Sequence, residues 1–309
     1  MADADAAKMR QLLEGMRAAF FRGDNAMEYA RSFLGRDDNL LIATQIAYDL
    51  QAGSYVKLAR ANPEGKARWV SQIADLLSPH LQESGGSVLE VGVGEATTLS
   101  GVLAHLSLPQ ISAFGFDISW SRCAHGLGWL KQMGQCAELF VADLFHIPLA
   151  DSSIDIVYTS HSLEPNGGRE LEAIRELLRV ARRFVVLIEP IYELGSAAAQ
   201  ARMRSHGYVR NLKKSAEDLG CVILDYRLLD YCFNPLNPSG VLLLEKLHEQ
   251  NPSQTVWRCP LTHAPLDFIE GVFAARETGL IYPIVGGIPL LCRNNAILAS
   301  SYGTKISES

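Results

Sequence analysis

The chain has 309 residues, 48% of them hydrophobic, with 34 acidic against 28 basic side chains and a net charge of −6. That length supports one large core with a smaller appendage. The acidic balance argues against a general nucleic-acid binder, whose phosphate contacts call for a basic face, although a local basic patch stays open.

The N-terminal MADADAAKMRQLLEGM is acidic and has no long apolar run. It reads as neither a signal peptide nor a membrane anchor, so a cytoplasmic protein without membrane contact is expected. Residues 1–80 form a predicted helical region, because DAAKMRQLLEGMRAAFF and GKARWVSQIADLLSPHL repeat apolar residues at three- and four-residue intervals. Between them runs NLLIATQIAYDLQAGSYVKLARANPEG, a helical stretch interrupted near Gly53.

From Ser87 the grammar changes. The strand-like runs SVLEVG, ISAFGFD, AELFVAD, IDIVYTS and RFVVLIEP follow one another, with helical stretches such as GRELEAIRELLRVARR between later pairs. Such alternation predicts an α/β fold, a Rossmann-like doubly wound sheet of seven mostly parallel strands spanning 81–250. Two further runs, CVILDYRLLDY and GVLLLEKLHE, are separated by FNPLNPSG and are expected to pair antiparallel at one sheet edge. A boundary is placed near Asn251. Beyond it, 251–309 reads as a small β-rich domain of short strands with proline and glycine turns. The six cysteines, Cys123, Cys136, Cys221, Cys232, Cys259 and Cys292, are scattered as expected of free, mostly buried thiols.

The chemistry begins in SVLEVGVGEATTLSGVLAHL, a short apolar strand, a turn with two close glycines, and an amphipathic helix. This is the start of a nucleotide-binding crossover. A dinucleotide fingerprint needs a third glycine three positions past Gly94, where Thr97 stands, so the NAD reading is weakened. What fits is an acid at Glu90, then Gly92 and Gly94, with Ala96 as the small residue where a third glycine often falls. Glycines let the backbone approach a ligand closely, and a carboxylate at a strand end can take an amino group or order water. Asp117 ends the second strand, placed to accept two ribose hydroxyls, and the third strand leads to Asp143.

This succession resembles the class I S-adenosylmethionine-dependent methyltransferases over roughly 87–245, including the Asp155, Ile156, Val157 pattern in the fourth strand. The resemblance implies S-adenosyl-L-methionine as cofactor. Glu90 would approach its methionine part, Asp117 its ribose, and Asp143 with Leu144 its adenine, against an apolar wall at Ile118. Ser160 joins Gly92 and Gly94 in the implied cofactor-binding set. AYDLQAGSYV also resembles the tyrosine-containing segment upstream of the first motif in many small-molecule methyltransferases. Tyr55 would then lie near the cofactor carboxylate; packing of the tyrosines on the sheet is the other reading.

Methyl transfer is an in-line displacement, so alignment and exclusion of water dominate, and a hydroxyl or ammonium acceptor also needs a base. The loop YTSHSLEPNGG after the fourth strand should carry it. His161 is the first candidate, titrating near neutrality, with structural hydrogen bonding as its alternative. Glu164 and Glu189 are second candidates, otherwise helix caps or ion-pair partners. The Asn/Asp-Pro-Pro-aromatic motif of enzymes acting on planar nitrogens is replaced by SHSLEPN, which disfavours exocyclic adenine or glutamine side-chain methylation.

CPLTHAPL and YPIVGGIPLL resemble the small zinc-ribbon-like activators of tRNA and release-factor methyltransferases. A structural zinc site wants two Cys-x-x-Cys pairs, but Thr262 stands where the partner of Cys259 would be and Cys292 has no nearby mate. No metal is expected, and the module should fold by an apolar core of its own. As an activator-like element it has three open roles: pairing with a sheet edge, walling the acceptor pocket, or recruiting a protein partner.

The expectation is therefore a methyltransferase acting on the oxygen or nitrogen of a small-molecule or biosynthetic-intermediate substrate, with nucleic acid disfavoured. RNA or protein methylation guided by the module, and a non-catalytic cofactor-binding regulator, are the alternatives.

Overall fold

The computed structural model describes residues 2–35, 41–81, 86–108, 110–246 and 256–303. The boundary expected near Asn251 lies outside these. Among the described residues five α-helices come first: α1 Ala2–Arg22, α2 Ala26–Leu34, α3 Leu41–Leu50, α4 Ser54–Ala61 and α5 Pro63–Leu77. Their ends follow local chemistry. Asn25 accepts the amides of Met27 and Glu28 at the start of α2, and Asn62 accepts that of Gly65 where Pro63 opens α5. Gly53 separates α3 from α4 with φ +92, a conformation a side chain resists.

The central unit runs β1 Gly86–Val91, α6 Thr97–Leu106, β2 Ile111–Asp117, α7 Trp120–Gln132, β3 Glu138–Val141, β4 Ile154–Ser160, α8 Glu170–Val180, β5 Ala181–Pro190, α9 Ala197–His206, α10 Leu212–Asp218, β6 Val222–Leu228 and β7 Ser239–Glu245. The strands form one seven-stranded sheet in the order β3-β2-β1-β4-β5-β7-β6. Strands β1 to β5 are parallel, and β7 runs antiparallel to both β5 and β6, the edge pair expected from the sequence. The order reverses between β1 and β4, and at that switch the carboxyl ends of the strands open a crevice.

Alternation along each strand divides the core. Leu89, Val91 and Val157 face α8 and α10, while Val88, Ile156 and Tyr158 face Trp69, Ile73 and Leu77 of α5 and Leu99 of α6. The first three helices close on a small core of Leu12, Met16, Ala30, Ala43 and Ala47.

Short antiparallel strands end the chain: β8 Asp267–Ile269, β9 Val272–Ala275, β10 Leu280–Val285, β11 Ile288–Pro289 and β12 Ile297–Leu298. Leu290 bridges Val141 in parallel, and the Leu291 amide donates to the Val141 carbonyl at 2.8 Å, so this sheet covers the β3 edge. The sequence led one to expect that this segment folds on an apolar core of its own, but its core is shared with the large sheet. Cys259, Leu266, Tyr282 and Leu291 belong to the cluster that holds Leu89 and Phe140, and Trp257 packs edge-on against Phe140. Continuity of the two cores follows from large apolar side chains meeting at the covered edge.

No cysteine is disulfide-bonded among the described residues, and the buried Cys259 lies 3.2 Å from the Tyr282 hydroxyl. Among those residues no group of three or more His, Cys, Asp or Glu is placed to hold a metal, and no helix is long and apolar enough to cross a membrane.

Candidate functional site

A cavity of about 320 Å³ lies at the carboxyl ends of β1, β2 and β4. Tyr55, Glu90, Gly92, Gly94, Asp117, Ile118, Asp143, Leu144, Ser160 and His161 all line it, so ten residues from segments far apart in the chain share one wall system. Gly92 has φ +68, and a Cβ there would come within 2.3 Å of the Ser162 Cβ. Gly94 also has φ +53, and its amide donates to Asp117 Oδ2 at 3.0 Å. Ala96 takes the left-handed conformation too, with φ 53, which costs a residue with a Cβ roughly 1–2 kcal/mol.

Asp117 is buried, and its other oxygen, Oδ1, accepts the Ser119 amide at 2.9 Å. Each carboxylate oxygen has a second lone pair, so two hydroxyl donors can still be taken. Burial raises the Asp117 pKa, opposed by the charge of Arg122 and the amides it accepts. Beside it, Asp143 Oδ1 accepts the Phe145 amide at 3.0 Å. Ile118, Leu144 and Phe145 give this end of the cavity its apolar wall. Glu90 is buried and accepts the Tyr158 hydroxyl at 2.9 Å. Burial pushes its pKa up to about 7, against the Tyr158 bond and the charge of Lys66. Burial also pushes Lys66, which donates to Thr98 Oγ1 at 2.8 Å, down to about 8.

The segment between α3 and α4 covers the cavity. Tyr48 and Tyr55 both lie against the Arg122 guanidinium, whose carbon is 4.5 and 4.9 Å from their ring centroids. Buried Glu95 accepts the amides of Gly53 and Val56 at 2.8 and 2.7 Å and so fixes the start of α4.

A second cavity, of about 260 Å³, shares Tyr55, Thr97, Thr98, Ser160 and His161 with the first. Leu58, Trp69 and Phe233 give it apolar walls; Asn62, Lys66, Glu164, Asn237 and Ser239 supply polar atoms. His161 stands where the two cavities meet. Its backbone is in the left-handed region at φ +59, held by its amide to the Ile188 carbonyl at 2.9 Å. Its Nδ1 lies 2.9 Å from Glu164 Oε2 and its Nε2 2.6 Å from Ser239 Oγ. Asn237 donates to the same Glu164 oxygen at 3.1 Å, and the Trp69 ring sits edge-on, 5.5 Å from the imidazole. Burial pulls the His161 pKa down, but the hydrogen bond and charge of Glu164, with the charge of Glu189, outweigh it and the net shift is upward.

Glu164 and Glu189 do different work from each other. Glu189 is fully buried and accepts the amides of Ser162, Leu163 and Glu164, holding the loop in place. Glu164 faces the imidazole as its partner and lines only the second cavity. Sequence reasoning missed Ser239, Asn237, Lys66, Trp69 and Arg122. Ser239 and Asn237 read there only as turn residues of FNPLNPSG, and nothing in the local pattern announces a contact across 78 positions.

Residues 88–183 match the family model of the methyltransferase domain. The chain carries a methyltransferase domain. It is an S-adenosylmethionine-dependent methyltransferase, with S-adenosyl-L-methionine as cofactor. Magnesium protoporphyrin IX methyltransferase of Synechocystis PCC 6803, crystallised with SAH, is similar at 13% identity with a TM-score of 0.51, over 66% of this chain and 99% of that one, which speaks to the fold. A complex between the Haloferax volcanii Trm112 methyltransferase activator and a methyltransferase aligns at 14% identity with a TM-score of 0.49, over 65% of this chain and 98% of that one. No curated protein matches the chain by sequence.

Proposed function

We propose that this methyltransferase acts on an oxygen or nitrogen of a small or biosynthetic-intermediate molecule held in the second cavity. The observation that carries the reading is the shared wall: Tyr55, Thr97, Thr98, Ser160 and His161 line both cavities, with Glu164 and Ser239 beside His161 in the second. When bound, S-adenosyl-L-methionine supplies a methyl group on a positively charged sulfur. Asp117 would hold the ribose hydroxyls, Ile118, Asp143 and Leu144 the adenine, and Glu90, Gly92, Gly94, Ser160 and Tyr55 the methionine end. The residues of the second cavity align the acceptor for in-line attack and keep water out, which is where most of the acceleration of a displacement lies.

Size and placement favour a small acceptor over a macromolecule. The cavity of about 260 Å³ falls just under the usual range of small-molecule sites, about 300–1,000 Å³. None of its lining residues comes from 256–303, so the C-terminal segment does not wall it; that segment packs instead on Ile118 and Val141, at the adenine side.

Incubation with methyl-labelled cofactor and a fractionated cell extract tests the reading. Label is expected in the small-molecule fraction. Label in RNA or protein would select guided macromolecular methylation, and absence of label despite calorimetric binding of S-adenosylhomocysteine would select a regulator.

A further inference from the structure

We propose that Ser239 is the group that meets the acceptor's proton, and that Ser239, His161 and Glu164 form a relay built for an acceptor hydroxyl. This rests on the small-molecule methyltransferase reading above.

The two hydrogen bonds of the imidazole suit one direction of transfer, with the tautomer assigned from its carboxylate partner. A carboxylate only accepts, so with Glu164 as the carboxylate of the relay the proton of the 2.9 Å bond sits on His161 Nδ1. The neutral imidazole then presents its lone pair at Nε2, and Ser239 Oγ, 2.6 Å away, donates into it. His161 therefore cannot take a proton from the acceptor directly, because its one accepting atom is already occupied. Ser239 is among the residues lining the second cavity, and the acceptor lone pairs of its Oγ are the next place along the line for an acceptor hydroxyl to donate. The arrangement of hydroxyl, imidazole and carboxylate is the one that activates oxygen nucleophiles elsewhere.

The frame around the relay is rigid. Ser239 opens β7, pairs with Pro190 of β5, and its carbonyl accepts the Leu229 amide at 2.9 Å. Asn237 and Glu189 hold Glu164 from its side chain and its backbone. The left-handed backbone of His161 is the kind of local strain that surrounding structure must maintain.

The step balances. The acceptor oxygen forms a bond to the methyl carbon as the carbon–sulfur bond breaks, and the electron pair goes to sulfur, which becomes a neutral thioether. The acceptor's proton passes to Ser239 Oγ while the Ser239 proton passes to His161 Nε2. The imidazolium, paired with Glu164, later releases its proton to water. A carboxylate or thioether acceptor brings no proton and would leave the relay idle, whereas a hydroxyl needs it.

The test compares wild type with Ser239→Ala, using labelled cofactor and the small-molecule fraction of a cell extract, in mixtures of light and heavy water. Wild type should show a curved dependence of rate on deuterium fraction, as for two protons in flight. Ser239→Ala should lose roughly 10²-fold in rate or more, with a straight dependence, while S-adenosylhomocysteine binding by calorimetry stays within about twofold. Nitrogen-15 spectra of the wild-type imidazole should show the proton on Nδ1 and a hydrogen-bonded Nε2. Full transfer by Ser239→Ala, a curve that persists in it, loss of its S-adenosylhomocysteine binding, or an Nε2-protonated imidazole would each overturn the relay while leaving the methyltransferase reading intact. Failure of wild type to label any small molecule would overturn that reading instead.

Discussion

Arg293 Nη1 lies 3.0 Å from His146 Nε2, which joins the C-terminal segment to the loop that carries Asp143. The other nitrogen of the same ring is 3.6 Å from Asp143 Oδ2, and Ile288 and Cys292 pack beside Ile118 and Cys123. The C-terminal segment therefore stands behind the Ile118 and Asp143 wall of the first cavity, where we propose the adenine lies.

Arg293→Ala should weaken S-adenosylhomocysteine binding by about 0.5–1.5 kcal/mol, the net worth of one hydrogen bond. Calorimetry checks this, and unchanged affinity would uncouple the segment from the cofactor site.

Asp117→Ala should cost roughly 1–3 kcal/mol of cofactor affinity. The proposed charge-assisted bonds to ribose would go, and the amides of Gly94 and Ser119 lose their acceptor. Affinity equal to wild type by calorimetry would remove Asp117 from the site.

The fold was legible because its signals are local. Continuous apolar runs gave the buried parallel strands, and the acids at Glu90, Asp117 and Asp143 fall at strand ends that the sheet brings to one crevice. The break at Gly53 was equally plain, since only glycine sits easily at φ +92. The second cavity was not legible. Lys66 and Trp69 looked like two more positions on an amphipathic helix, and Ser239 like the end of a turn, because burial beside a site is a tertiary property that periodicity does not carry. The shared core of the C-terminal segment was hidden for the same reason. Trp257 and Tyr282 are apolar in any reading, and only the covered β3 edge decides what they pack against.

Glu90 should make stability fall with rising pH near neutrality. Its folded pKa of about 7 lies above the ordinary 4.5 because of burial. Between those values the folded state holds a proton that the unfolded state has lost, so the contribution is complete below pH 4.5 and is lost as pH rises through about 7. Glu90→Gln removes this dependence. Denaturant melts at several pH values should show the variant gaining on wild type from pH 5 to 8, with a slope of up to about 1.4 kcal/mol per pH unit. Parallel curves would mean that Glu90 is ionised in the fold.

His161 makes the sharpest prediction. As the sink of a proton relay it must be neutral for transfer, so the rate should fall in acid. Glu164 at Nδ1 and Glu189 behind the loop favour the imidazolium more than burial disfavours it, which places the acid limb above the ordinary histidine value of 6.5. Lys66 lines the same cavity, and its pKa of about 8 places its titration on the alkaline side of the profile. His161→Ala should lower turnover by about 10²–10⁴-fold with cofactor affinity near wild type, because its ring bonds Glu164 and Ser239, which line the second cavity and not the first. Glu164→Gln separates the causes: without its carboxylate charge the His161 pKa drops, and the acid limb should move to lower pH while the maximum rate falls. A histidine that only braces the loop would behave otherwise, since its loss would lower melting temperature and cofactor affinity along with rate. The pH–rate profiles of wild type, His161→Ala and Glu164→Gln, measured on the labelled small-molecule fraction, decide between the two. An acid limb retained in His161→Ala at full turnover would remove His161 from the proton path.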